Sequence, residues 1–361
     1  MNIDRPSNYF PHLDAIRFFA AYTVIIHHTE QFKSIYNWSH YYDYAAISLL
    51  GKTGVYCFYV LSGFLITTLL LQEHTTHQTI DIKKFYKKRI LRIWPLYFFI
   101  ILLAYFVLPY LSLLQVPGYH TLHNPIAVQL MFFLLLMPNV AIELFGPVIY
   151  ANQTWSIGAE EQFYLLWPWA LNCFQKHIGK FILMGIVLYH PIGWFINQLP
   201  DFYGNYVLIS FWKGFYIHSI LFGALMAYVY QYDPQDILKI LFHRATQWII
   251  ALALMLFILF GIRMPYLHVE IYSLLFGILI LNAARNINFI FNFEFSVLSY
   301  LGKISYGMYM YHCICIVLVM RLLMSYEIQS NWILYPLVFV LTTMVSSLSY
   351  HTLERFFMRL R

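Results

Sequence analysis

LDAIRFFAAYTVIIHHTEQF, residues 13–32, is the first long apolar stretch of the chain, and the expected architecture is built around it. Its twenty mostly apolar residues are enough to cross a bilayer as one helix, yet it contains Asp14, Arg17 and the pair His27–His28. Arg17 and His28 are eleven residues apart, close to three helical turns, so both side chains share one face about 16 Å apart along the axis. Charged or titratable groups inside a membrane helix normally face a protein interior or a wet cavity. The stretch therefore predicts a polar track through a membrane domain.

The composition of the whole chain is typical of an integral membrane protein. Of its 361 residues, 61% are hydrophobic and 11% are charged, whereas a soluble domain of this length carries about twice that charged fraction. Apolar runs long enough to span recur from end to end, and no polar stretch is long enough for a separate soluble domain. We therefore expect a single all-α, polytopic membrane domain over residues 1–361.

The apolar runs predict about ten transmembrane helices and one segment that enters the membrane without crossing it. The expected spans are 13–32, 52–71, 93–114, 154–174, 181–199, 207–230, 247–261, 266–284, 297–324 and 332–353. Residues 128–137 are apolar, but this run is short and lies between Pro125 and Pro138, so we interpret it as re-entrant or interfacial. The basic loops then fall on one side of the membrane, which the positive-inside rule makes the cytoplasm, and both termini lie on that side.

Charge and cysteine usage exclude several classes of protein. The net charge of +6 is interpreted as a topology signal rather than a nucleic-acid signal, because the basic residues sit in short loops beside the membrane lipids. The cysteines show neither a metal-ligand spacing nor a disulfide framework, so no metal is expected and all four are predicted to be small core residues: Cys57, Cys173, Cys313 and Cys315. No Walker-type loop, GxSxG, HExxH or CxxC occurs, which argues against ATP-driven transport and common hydrolase or metalloenzyme chemistry.

His28 is the first candidate catalytic residue. Histidine is the usual general base for a hydroxyl nucleophile near neutral pH. An interfacial histidine is the alternative, since His27 lies beside it and the chain has 15 histidines. Neighbouring helical residues diverge by about 100°, so only His28 shares the Arg17 face, and His27 is expected to turn toward lipid or a neighbouring helix.

Arg89 and Arg92, in FYKKRILRIWP, are the candidate anion-binding residues. They are one turn apart at the start of an expected span, and guanidinium groups bind phosphate in bidentate fashion. Anionic lipid headgroups would satisfy them equally well. The lysines of the same segment are interpreted as a solvated positive-inside run: Lys83, Lys84, Lys87 and Lys88.

Two further polar features lie inside expected spans. Glu160 and Glu161 are adjacent carboxylates in QTWSIGAEEQFYLLWP, and at most one of them need face the polar track. Their alternative role is to balance Arg17 or another buried cation. His312, in SYGMYMYHC, is either part of the track or a buried polar group satisfied by its neighbours.

Taken together, these motifs resemble the integral-membrane acyltransferase-3 family, whose bacterial members O-acylate carbohydrates at the cell envelope. The matching pieces are LDAIR to HH (residues 13–28), GVYCFYVLSGFLI (54–66), YKKRILRIWPLY (86–97), TWSIGAEEQFYLLWP (154–168), KISYGMYMYH (303–312) and HTLERFF (351–357). Two positions depart from the usual pattern, Tyr56 in place of an acidic residue and Phe356 in place of a proline. The chain resembles the stand-alone type without an appended periplasmic hydrolase domain.

The resemblance implies an acyl-CoA donor, most often acetyl-CoA, that arrives from the cytoplasm, and a glycan acceptor reached from the outer side. His28 would be the general base or a transient acyl carrier, Glu160 or Glu161 would orient it, and Arg17 would hold donor or carboxylate charge. Donor binding would fall to Arg89, Arg92 and Ser62. The remaining residues expected along the track are Asp14, Trp155, Ser156, Tyr306 and His312.

The expected function is therefore O-acylation of a cell-envelope glycan, such as O-antigen, capsule or exopolysaccharide, at the bacterial inner membrane. Three alternatives stay open on the sequence. One is a permease for a glycan or lipid-linked sugar that uses the same track. A second is an acyltransferase with succinyl-CoA as donor or with a small-molecule or lipid acceptor, and the third is a channel-like or sensory protein. The sugar, the acyl group and the oligomeric state do not follow from the residues.

Overall fold

The computed structural model describes residues 10–118, 126–200, 203–233 and 236–360. Helices make up 82% of it, and these ranges contain no strand, which confirms the all-α class. The α-helices are α1 (Pro11–Ile35), α2 (Ala45–His77), α3 (Ile82–Phe106), α4 (Ile126–Leu134), α5 (Pro138–Phe145), α6 (Trp155–Phe174), α7 (Ile178–Asn197), α8 (Tyr203–Phe215), α9 (Ile217–Tyr232), α10 (Ile237–Leu241), α11 (Arg244–Phe260), α12 (His268–Arg285), α13 (Ser296–Lys303), α14 (Ser305–Ser325), α15 (Asn331–Ser349) and α16 (Arg355–Met358). A π-helical turn, Tyr350–Glu354, joins α15 to α16.

Several helices have the length and apolar composition to cross a bilayer. Seven described segments meet both requirements: Ala45–His77, Ile82–Tyr110, Asn152–Asn197, Gly204–Tyr232, His268–Arg285, Ser305–Ser325 and Asn331–Met358. Asn152–Asn197 contains two helices, α6 and α7, while α11 is apolar but shorter. The protein is thus a multi-pass membrane protein, and the count of about ten spans stays a prediction. The helix within the expected re-entrant segment, α4, has nine residues, about 14 Å against a hydrocarbon core of about 30 Å.

The helix α1 lies inside the bundle, in contact with α2, α12, α13 and α14. It continues to Ile35, three residues beyond the expected span 13–32. Lys33 is 1% exposed, and its Nζ lies 2.6 Å from Glu30 Oε1. Tyr335 from α15 donates a second hydrogen bond to the same oxygen at 2.5 Å. Because both charges are satisfied inside the protein, the helix can carry them beyond its apolar stretch.

The closest helix packing in the bundle joins α2 to α9. A Cβ atom on Gly63 would lie 1.9 Å from the Ile220 carbonyl oxygen, and one on Gly223 would lie 2.0 Å from the Val60 carbonyl oxygen. Only glycine permits the two backbones to approach this closely. The Ser62–Gly63 pair therefore has divided roles, since Gly63 packs on α9 while Ser62 faces a cavity.

Three local expectations need correction. The run 207–230 is divided into α8 and α9 at Tyr216, which has the left-handed φ of 42°. The run 297–324 is divided into α13 and α14 at Ile304. Cys57, Cys313 and Cys315 are buried as expected, but Cys173 is exposed, because it lies near the end of α6 on a face that other helices do not cover.

Candidate active site

A cavity of about 300 Å³ lies among α1, α2, α3, α6 and α14. Seven of the residues singled out in the sequence line it: Arg17, Ser62, Arg89, Arg92, Ser156, Glu160 and Tyr306. They come from five helices and lie between positions 17 and 306 of the chain. The structure thus gathers most of the expected polar track into one cavity.

The cavity is basic because three arginines face it. Arg17 Nη1 lies 2.6 Å from Asp14 Oδ1, one turn earlier on α1, so this charge is already balanced. Arg89 lies 5.8 Å from the rings of both Phe85 and Tyr164, a cation–π arrangement. Arg92 has no carboxylate within 4.0 Å among the described residues. An anionic group entering the cavity would therefore find an arginine with no ion-pair partner there.

The two glutamates take different positions. Glu160 lines the cavity, where its Oε2 accepts a 2.7 Å hydrogen bond from the Tyr164 hydroxyl and Ser62 is a further hydrogen-bonding neighbour. Glu161 is turned away, and its Oε2 accepts from Trp94 Nε1 at 2.7 Å. The carboxylate that faces the cavity is Glu160. The alternative in which either glutamate balances Arg17 does not match the structure, since Asp14 occupies that place.

His28 is paired with His312 rather than with a glutamate. His28 Nδ1 lies 3.0 Å from the Val24 carbonyl oxygen and 3.1 Å from His312 Nε2. His312 Nδ1 in turn lies 2.7 Å from the Tyr309 carbonyl oxygen. A carbonyl can only accept, so each ring carries its proton on Nδ1, and His28 donates to both Val24 and His312.

This assignment leaves His28 Nε2 as a lone-pair nitrogen, and it has no hydrogen-bonding partner within the ranges that the structure describes. His27 points elsewhere: its Nδ1 lies 2.8 Å from the Ile47 carbonyl oxygen on α2, and its ring packs beside Gly51. The same argument puts the His27 proton on Nδ1, so both rings keep a lone pair on Nε2. The two histidines differ in their surroundings, since His28 contacts His312 on α14 whereas His27 packs against α2.

Tyr309 connects the histidine pair to the cavity. Its hydroxyl lies 2.7 Å from Ser156 Oγ and donates to the Gln153 carbonyl at 2.8 Å, and its ring lines the cavity. Its backbone carbonyl holds His312, one turn further along α14. Tyr309 was missed in the sequence because the chain has 31 tyrosines. Its position three residues before His312 was the signal that could have found it.

Not every expected track residue reaches the cavity. Trp155 packs on the rings of Tyr59 and Tyr216, so it supports the wall from behind. Asp14 contributes through Arg17 and borders a second cavity of about 280 Å³, which shares Arg17, Arg92 and Tyr306 with the first. Tyr306 donates its hydroxyl proton to the Ile93 carbonyl at 2.8 Å and so joins α14 to α3.

The fold and this site define a polytopic helical membrane protein with a basic internal cavity and a histidine pair. More specifically, the chain belongs to the acyltransferase-3 family, whose model, described as an acyltransferase domain, matches residues 10–351. No solved structure matches the chain.

Curated relatives are similar over most of this chain. YrhL of Bacillus subtilis (strain 168) is 26% identical over 96% of the chain and 54% of its own length. The peptidoglycan O-acetyltransferase OatA of Listeria monocytogenes is 26% identical over 84% and 49%. The O-acetyltransferase OatA of Staphylococcus aureus (strain NCTC 8325 / PS 47) is 25% identical over 96% and 57%. The chain spans about half the length of these relatives.

Proposed function

We propose that the protein transfers an acetyl group from acetyl-CoA to a hydroxyl group of a cell-envelope glycan. The observation that supports this proposal is that an anion-binding cavity and a histidine pair lie close together in one site. A basic cavity contains Arg89 and Arg92, and His28, with a free Nε2, lies outside its lining. His28 contacts His312, which in turn donates to the backbone carbonyl of the cavity residue Tyr309. Family membership and the O-acetyltransferase names of the relatives support the reaction class.

The arginines of the cavity bind the donor. The donor carries phosphate groups, and guanidinium forks bind phosphate with charge-assisted hydrogen bonds. Arg92 is free of ion pairs in the described part of the chain, and Arg89 is held in place by Phe85 and Tyr164. Glu160 lies in the same cavity, bonded to Tyr164 and Ser62, and fixes the shape of the wall past which the acyl arm lies.

The chemical step falls to His28. Its Nε2 takes the proton of the acceptor hydroxyl while the oxygen attacks the thioester carbonyl carbon. As the new ester bond forms, the thioester carbon–sulfur bond breaks, and the proton held on Nε2 passes to the leaving thiolate sulfur. During this transfer His28 is an imidazolium, which donates through Nδ1 to Val24 and His312. Those two acceptors stabilise the cation and keep the ring oriented.

The acceptor is proposed to be a glycan outside the cytoplasm. The positive-inside rule places the Lys83–Arg92 segment, and both termini, on the cytoplasmic side. His28 lies eleven residues beyond Arg17 on α1, about 16 Å toward the opposite side. Peptidoglycan is named for the Listeria relative. O-antigen, capsule and exopolysaccharide are the other candidates in a bacterial inner membrane.

The experiment that tests the proposal is a transfer assay. Purified protein in lipid nanodiscs, given acetyl-CoA with a labelled acetyl group and envelope glycan, is expected to label the glycan. Mass spectrometry of envelope polysaccharide from cells with and without the protein should then differ by one acetyl group. Unlabelled glycan together with saturable glycan uptake into vesicles would refute the proposal and favour the permease. Label retained on the protein when no glycan is present would replace the general base with a covalent acyl-histidine.

The orientation is tested separately by thiol labelling. A cysteine introduced at Lys87 is expected to resist an impermeant thiol reagent in intact cells, whereas one at Tyr44, in the loop between α1 and α2, should react. The expectation rests on the side assigned to the basic segment. Labelling at position 87 from outside would mean that the orientation of the protein in the membrane is the reverse of the one proposed.

A further inference from the structure

A groove of about 560 Å³ lies between the end of α2 and the start of α3, and its polar residues are unexplained by the site described above. Lys84 and Lys88, four residues apart on one face of α3, line it together with Arg89. From α2 come Glu73 and His77. The other two lysines of the segment, Lys83 and Lys87, do not line this groove.

The groove and the cavity form one elongated space. Both are bordered by Leu69 and Arg89. Along α2, the residues bordering this space run from Phe58 to His77, about 28 Å of helix rise. The cavity end combines apolar and aromatic side chains with three arginines and Glu160, while the groove end is lined mostly by charged and polar side chains. Such a space fits a long molecule with a neutral arm and an anionic head.

The charges of the groove favour a polyanion. Neither Lys84 nor Lys88 has a carboxylate within 4.0 Å in the described parts of the chain. Glu73 is the carboxylate on the groove wall, and its Oε1 accepts a 3.2 Å hydrogen bond from the Asp81 backbone N–H, which holds the turn between α2 and α3. Three cations therefore face one carboxylate that is already engaged.

The second opening of the site is less suited to a polyanion. The 280 Å³ cavity that also joins the site through Arg17 and Arg92 is lined by Lys303 and by two carboxylates, Asp14 and Glu354. Asp14 neutralises Arg17 at 2.6 Å. Three cations face two carboxylates there, whereas three face one carboxylate in the groove, so a molecule with several phosphate charges is attracted less strongly to this cavity.

We infer that the groove between α2 and α3 holds the phosphate-bearing nucleotide end of the acyl-CoA donor, with Lys84 and Lys88 as its phosphate ligands. This inference rests on the proposed function, since acyl-CoA is the donor proposed there. The acyl arm then lies past Leu69 in the inner cavity, and Arg89 and Arg92 face the pyrophosphate that joins this arm to the nucleotide. The α2–α3 side becomes the donor entrance, and the nucleotide phosphates become determinants of donor specificity.

The test compares two double variants that remove the same charge from two faces of one helical segment. Lys84→Gln/Lys88→Gln removes the groove lysines, and the matched control, Lys83→Gln/Lys87→Gln, removes the neighbouring lysines that do not line the groove. Full-length protein in phosphatidylcholine nanodiscs is titrated with CoA, with dephospho-CoA and with pantetheine. Each lost charge-assisted contact is expected to weaken CoA binding about tenfold. Pantetheine binding should be unchanged, and the control should bind CoA as the wild type does.

Two results would overturn the inference. Equal losses in both double variants would mean that only the general charge of the segment matters. CoA and pantetheine affinities that fall together would mean that the lysines do not contact the phosphates. Repeating the titration with phosphatidylglycerol in the nanodiscs separates the sources of phosphate: if the variants differ only when this lipid is present, the groove holds a lipid headgroup.

Binding and transfer also separate this inference from the proposed function. CoA binding that depends on Lys84 and Lys88, without acetyl transfer to any glycan, would uphold the groove and refute the proposed reaction. If the wild type transfers acetyl groups and the groove variants bind CoA normally, the proposed reaction is supported and the groove is not the site of the nucleotide phosphates. A loss of CoA binding in Lys303→Gln, with none in the groove variants, would move the donor entrance to the second cavity.

Discussion

Replacing His28 tests the proposed chemistry most directly, because the structure assigns its two ring nitrogens different roles. Nδ1 donates to the Val24 carbonyl at 3.0 Å and to His312 at 3.1 Å, so Nε2 alone can take a proton. A positioned general base contributes about 10²- to 10⁴-fold to a rate. His28→Gln, which keeps a polar side chain but cannot act as a base, is therefore expected to lower kcat by that factor and to leave the KM for acetyl-CoA nearly unchanged.

His312 should show a smaller effect of a different kind. It supplies one neutral acceptor for His28 Nδ1–H, and such a hydrogen bond is worth about 0.5–1.5 kcal/mol, roughly two- to twelvefold in rate. His312→Ala is expected to lose about that much of kcat, and His312→Gln, whose amide oxygen can accept, should recover part of it. His27→Ala is the matched control, since its ring bonds to the Ile47 carbonyl on α2.

The assay is the initial rate of labelled acetyl transfer at saturating donor, on variants purified in equal amounts and checked by size-exclusion chromatography. Similar, mild losses in the His28 and His27 variants would refute the general-base assignment. So would a His28→Gln protein with wild-type kcat. Either outcome would leave the histidine pair as a packing feature.

Three further predictions concern neighbouring parts of the site and the fold. Glu160→Gln should reduce transfer more than Glu161→Gln, because the former lines the cavity and the latter is bonded to an indole outside it; equal rates in both variants would contradict this. Arg92→Ala should raise the KM for acetyl-CoA by about ten- to a hundredfold with little change for acetyl-pantetheine, and unchanged donor dependence would make it an ordinary topology arginine. Gly223→Ala should lower the yield of folded protein, since its Cβ would lie 2.0 Å from a carbonyl oxygen of α2 and overpacking costs about 1–3 kcal/mol; the control is Gly277→Ala, whose Cβ would meet a flexible methionine side chain at 3.0 Å.

The amino-acid sequence alone indicated the class of the fold and all four charged residues that line the cavity. Hydropathy and helical periodicity are local properties, so they indicate an all-α membrane protein without knowledge of any contact. The same periodicity separates His27 from His28, because neighbouring residues on a helix diverge by about 100°.

Only the tertiary structure decided which partners these residues have. Helical periodicity predicts that Glu160 and Glu161 point in different directions. Which of the two faces the cavity depends on where α2 and α3 lie. The contact between His28 and His312 joins positions 284 residues apart, and no local pattern encodes such a distance. Lys84 and Lys88 belong to a run that reads as four equivalent solvated lysines. They differ from their neighbours because the end of α2 extends beside α3, so one face of that run lines the groove.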